Sequence, residues 1–165
     1  MSTYVGVLNF NNAVDRAAKA NLDLMRRTFQ RTALMMIGSV VVGDPGYSPG
    51  TPVGNPSLWK HPAPPGYVGG FARASWYTFV AEGAGGSPAI GEVGANSDPV
   101  AQADAAITDA QLGHTIWEVN GAPYAVALEF GHSTQAPAGM VRMTLSASQE
   151  IVNAALAIER GKMAA

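Results

Sequence analysis

Glu129 and His132 stand three residues apart, a spacing at which one helix face would offer a carboxylate and an imidazole to the same metal ion. A zinc site needs three or four ligands. The other histidines are His61 and His114, both distant in sequence, and no His-Glu-x-x-His run exists. Ser133 follows His132 directly, but neighbours in sequence seldom align a hydroxyl with its base, and no Gly-x-Ser-x-Gly elbow occurs. The chain has no cysteine, which removes thiolate nucleophiles, thiolate zinc sites and disulfides. The glycine-rich run 83–97 lacks the Gly-Lys-Ser/Thr that a phosphate loop requires. These residues therefore predict no catalytic site, no metal and no cofactor. The chemistry left to them is that of holding a corner. Glu129 can pair with Arg142 or accept backbone N–H groups, while His132 and Ser133 can cap a turn.

The corner needs two helices to join. Pro123 suits a first helical turn, and Tyr124, Ala127 and Leu128 follow at helical spacing. Gly131 suits a helix stop, and 133–139, with Pro137 and Gly139, reads as a loop. A second helical pattern runs from about Met140 to Glu159 through Val141, Leu145, Ile151 and Ala155. Upstream, residues 1–10 read as a short strand or an arm. Asn11 or Asn12 would cap a helix from Ala13 to about Ile37. Its stripe of Val14, Ala18, Leu22, Met25, Phe29 and Met36 predicts core packing, and Leu24, Leu34 and Met35 leave a second apolar side for another subunit. Residues 39–43 are β-branched and read as a strand. Trp76 to Glu82 and His114 to Asn120 read as strands, the latter with Ile116 and Glu118 on one face and Trp117 and Val119 on the other. Asp98 would cap a helix with Pro99 in its first position and Gln102 completing a capping box, continuing to Gly113. The order predicts one α+β domain over 1–165: a small antiparallel sheet, with a long N-terminal helix, a short helix and a C-terminal helix packed on one face.

Residues 44–70 are rich in proline and glycine, which forbids long helix or central strand. Tyr47, Leu58, Trp59, His61 and Tyr67 lie on that stiffened loop, whose aromatic side chains suit contact with a partner or pin the loop to its own domain. Only 13% of the residues are charged and the net charge is −2, so nothing global draws the chain to nucleic acid or to an anionic membrane. The cations of the first helix, Arg16, Lys19, Arg26, Arg27 and Arg31, read as a solvated or intersubunit face. No run approaches the roughly 18 apolar residues of a membrane span, and no signal-peptide layout opens the chain, which predicts cytoplasmic synthesis.

The run from Asn120 through Pro123-Tyr124, Leu128-Glu129-Phe130-Gly131-His132-Ser133 and Gln135-Ala136-Pro137-Ala138-Gly139-Met140-Val141-Arg142 resembles the bacteriophage neck and tail-completion family, the group of lambda-type minor tail protein Z and related head–tail joining components. Thr51-Pro52-Val53 and Arg73-Ala74-Ser75-Trp76 extend the likeness to about two thirds of the chain. The resemblance implies a virion structural subunit, assembled in the host cytoplasm into a homo-oligomeric ring at the neck. Six copies would suit a tail tube. Its partners would be further copies of itself, the head connector or stopper and the tail tube protein. It would enclose the genome passage without sequence-specific DNA binding. Pro123 to Arg142 would form the assembly corner; Tyr47, Leu58, Trp59, Tyr67, Arg73 and Trp76 would be interface candidates. A tail terminator or head-closure stopper at a neighbouring ring is the nearest alternative, and a small phage hydrolase the remote one.

Overall fold

Forty consecutive residues, Thr3–Val42, form the first helix, α1. In the computed structural model the described residues are 3–42, 70–83, 91–132 and 138–164. The remaining elements are β1 (Trp76–Ala81), entered through a short 3-10 turn at Arg73–Ser75, then α2 (Pro99–Ile107), β2 (Thr115–Asn120), α3 (Ala125–Glu129), α4 (Val141–Ser146) and α5 (Ser148–Ala164). The class is α+β, with a two-stranded antiparallel sheet.

α1 is longer at both ends than its sequence predicts. Neither Asn11 nor Asn12 caps it, because helix continues to Thr3; an interior asparagine costs only tenths of a kcal/mol. Residues 1–10, expected as a strand or arm, are helical from Thr3 onward. At the other end Gly38 does not stop the helix, and the valines expected in a strand form its last turn. Packing overrides their β preference: Val40 and Val41 are buried with Ile37, Trp76, Ile107 and Met140. Ser39 is tolerated inside the core because its hydroxyl meets the Thr144 hydroxyl at 2.8 Å. The opposite side of α1 packs Met35 against Ala147, Ile151 and Ala155 of the α4–α5 region. The last turns of α1 thus lie between α5 on one side and α2 with the sheet on the other.

The sheet pairs Trp76 with Asn120 and Ala81 with Thr115 at its ends. Trp76, Thr78, Val80, Ile116 and Glu118 share the face toward the helices, as period-two alternation requires. α2 lies between the strands in sequence and packs on β1. Asp98 caps it, its carboxylate accepting from the Ala101 N–H at 3.1 Å, with Pro99 in the first turn. Gln102 does not complete a capping box. Its amide accepts from the Thr78 N–H at 2.9 Å and donates to the Thr78 carbonyl at 2.8 Å, standing in for a third strand along the edge of β1. α2 ends at Ile107, earlier than expected, and the chain turns to Gly113 (φ +92°) before β2.

The expected helix from Met140 to Glu159 is two helices. They break at Ala147, whose side chain is buried against α1. The apolar pattern runs through the break, so periodicity alone did not reveal it.

Candidate functional site

α3 ends in a bend that the backbone closes by itself. Gly131 takes φ +84°, its N–H donates to the Leu128 carbonyl, and the His132 N–H donates to the Ala127 carbonyl. This is the Schellman arrangement, and it needs glycine at the left-handed position. His132 therefore contributes its backbone to the turn, and its side chain is exposed. Pro123 and Tyr124 form the turn before α3 and do not belong to its first turn. The Tyr124 ring lies 6.0 Å from that of Phe71.

Across the bend, Glu129 reaches the start of α4. Its carboxylate accepts from the N–H groups of Met140 at 2.7 Å, Val141 at 2.9 Å and Arg142 at 3.0 Å, and from Arg142 Nε at 3.2 Å. The first turn of a helix has no internal acceptor for these N–H groups, and its dipole favours a negative charge there. Burial raises the carboxyl, but the backbone donors of Arg142, Val141 and Met140 and the guanidinium outweigh it, and the net shift is downward. Arg142 also donates to the Glu129 carbonyl, and its guanidinium sits 5.2 Å above the Phe130 ring. A carboxylate has about four lone-pair positions. All four are taken here, so Glu129 has none free for a metal ion or a substrate proton.

Gly139 makes the approach possible. It has φ +83°, and a Cβ there would stand 2.5 Å from the Glu129 carbonyl oxygen and 2.6 Å from its carboxylate. Met140, next in the chain, is buried in the main core. The structure so brings Glu129, Gly131, Gly139, Met140 and Arg142 into one clasp. Ser133, Gln135 and Pro137, and the interface candidates Tyr47, Leu58, Trp59 and Tyr67, lie outside the described residues. Trp76, expected at an interface, is a core residue at 6% exposure; its place on the helix-facing side of β1 buries it under α1. Arg73 is half-buried in the turn before β1.

Beside the clasp the surface is apolar. Val126 on α3 and Phe130, the residue that caps it, are 70% and 68% exposed, and Val141 and Leu145, one turn apart on α4, are also exposed. Next to them a groove of about 150 Å³ is lined by Met36, Ile37, Val40, Trp76, Thr144 and Glu118, with Val141 and Leu145 also on its wall. The sequence places Glu118 on the Ile116 face of a strand and points to no role for it. One of its oxygens accepts from the Thr78 hydroxyl; the other is buried without a partner among the described residues. Burial pushes its carboxyl up to about 7, against the pull of that hydroxyl. An acidic residue on the inward face of a strand was the signal for it.

Elsewhere, Glu159 of α5 is buried and accepts from Arg31 of α1 and from Lys162, which ties the two helices together. Burial raises the Glu159 carboxyl and the two cations bring it below its usual range. No helix among the described residues is long and apolar enough to cross a membrane. No family model, no curated protein and no solved structure matches the chain.

Proposed function

We propose that this chain is a virion structural protein of a tailed phage or prophage, a ring-forming tail-completion or neck subunit that joins the tail to the head connector. One observation carries the reading. The described residues in which the sequence most resembles that family, Glu129-Phe130-Gly131 and Gly139-Met140-Val141-Arg142, are the ones that build the α3–α4 clasp. Their polar atoms are occupied in fixing a bend, which suits a part that must present one shape to its neighbours. The apolar side chains left exposed around the clasp suit a subunit covered by others in its working state.

The test is made on the particle. The chain should be present in purified virions in several copies, located at the neck by reconstruction and identified by mass. Phage carrying Glu129→Ala should accumulate filled heads and unjoined tails. Absence of the chain from the particle would end the reading.

A further inference from the structure

The sheet has two unlike edges. The Gly121 N–H donates to the Ser75 carbonyl at 3.0 Å, one step beyond the Trp76–Asn120 pair. Bonded and unbonded positions alternate along an antiparallel pair, so Thr115, Trp117 and Val119 turn their backbone groups toward β1. Thr78, opposite Glu118, then turns its own groups away from β2, and Gln102 takes both of them. By the same alternation the N–H and C=O groups of Ile116 and Glu118 point away from β1. Nothing among the described residues bonds to them, and β1 is the only described element that runs along β2. The edge of β1 is sealed by Gln102; the edge of β2 is open.

An open edge pairs with another strand through those groups, and the side chains decide which strand it accepts. β2 holds no lysine or proline, and its register has no bulge. Its guard against indiscriminate pairing is Glu118, a charge on the inward face. A strand laid beside it fits only if it brings a cation or a donor opposite that carboxylate. The chain carries one at the required place. His114, two residues before Ile116, falls on the same face by alternation. Its Nδ1 and one Glu118 oxygen are both buried without a partner among the described residues. A second β2 running in the opposite sense and centred on Ile116 sets His114 against Glu118 twice. Centred on Trp117 instead, it sets Glu118 against Ile116 and leaves both groups unpaired. Centred on Glu118, it sets the two carboxylates against each other, which is unfavourable.

We infer that the open edge is closed by β2 of a second copy, antiparallel about a two-fold axis at Ile116, with His114 of each chain opposite Glu118 of the other. The two sheets become one of four strands. A two-fold contact closes at two copies, so this contact is separate from the ring of the assembly reading and does not rest on it.

Sedimentation of the full-length chain should show a monomer–dimer equilibrium that stops at two copies. Amide hydrogen exchange then reads the contact without any substitution. In dilute, monomeric samples Ile116 and Glu118 should exchange fast, while Trp117 and Val119, bonded to β1, stay protected. In concentrated, dimeric samples Ile116 and Glu118 should become protected as well. His114→Glu sets like charges opposite each other and should weaken dimerisation by at least about tenfold. His114→Lys keeps a cation there and should dimerise within about threefold of the wild type. Protection of Trp117 and Val119 checks that each variant keeps its sheet.

A chain that stays monomeric to roughly millimolar concentration overturns the inference. So does a dimer in which Ile116 and Glu118 still exchange fast, because the copies then meet through another surface. Protection of those two amides in the monomer would mean that the chain seals its own edge, which overturns it as well. A His114→Glu variant that dimerises like the wild type removes the charge pair and the register with it.

Discussion

Glu129 and Glu118 are two carboxylates in one small fold, placed in opposite circumstances. Glu129 accepts four hydrogen bonds from the start of α4 and is held below the usual carboxylate range. Glu118 accepts one, keeps a buried oxygen without a partner among the described residues, and is pushed up to about 7. The clasp is complete within a single chain. In the groove the second Glu118 oxygen has no donor among the described residues, and a buried carboxylate oxygen without one costs stability. The difference separates a carboxylate that the next helix holds ionised from one that burial drives toward its neutral form.

The strongest way to break the comparison is at Gly139. A β-branched residue there meets both a left-handed backbone and the Glu129 carbonyl at 2.5 Å, neither of which can move without opening the clasp. Gly139→Val is expected to lose about 3–5 kcal/mol or to fail to fold, measured by urea unfolding. Glu129→Ala comes next. It leaves three N–H groups of α4 without their acceptor, for an expected loss of about 2–4 kcal/mol at pH 7. Glu129 is held below its unfolded value, so its contribution is present above about pH 4.5 and lost as pH falls through the folded value. The gap between wild type and variant should therefore narrow in acid.

Glu118→Gln should do the opposite. The unfolded carboxyl titrates near 4.5 and the folded one near 7, so the folded chain holds the extra proton between those values. Wild-type stability then falls as pH rises from about 4.5 to about 7, by up to roughly 3 kcal/mol. The glutamine variant has no such slope. It should equal the wild type near pH 4.5 and exceed it at pH 8 by about 1–3 kcal/mol in the isolated chain. Its melting curve at several pH values reads this directly. A variant that parallels the wild type across that range would mean that Glu118 is already satisfied.

Local spacing made the clasp legible in the sequence. Glu129, Gly131, Gly139 and Arg142 fall within fourteen residues, and the two glycines take the left-handed backbone that other residues rarely adopt. The cap at Asp98 and the faces of β2 were legible for the same reason. The run 39–42 misled, because valine prefers strands by a margin that core packing exceeds. The break at Ala147 was hidden because both helices bury apolar residues in step. The Val14–Met25 stripe was read as core, and the structure leaves it open. Periodicity states that a helix has an apolar face; it is silent on whether that face meets its own chain or another. Gln102 and Glu118 were underread because their roles depend on what lies across the sheet.

The smallest change sharpens the account of the clasp itself. Arg142 makes the visible ion pair with Glu129, yet its side chain is 52% exposed, and one of the four bonds to the carboxylate comes from its backbone N–H, which any residue supplies. An exposed pair contributes about 0–1 kcal/mol, and its seat over Phe130 adds about 0.5–1. Arg142→Ala is thus expected to lose roughly 1 kcal/mol, well below Glu129→Ala. In a double-mutant cycle the coupling between the two positions should stay near 1 kcal/mol or less, leaving most of the Glu129 effect in place when Arg142 is absent. Should the two single variants lose equal stability and the double variant lose no more, the ion pair would be the clasp. The carboxylate would then owe its place to the guanidinium, and the backbone of α4 would be incidental.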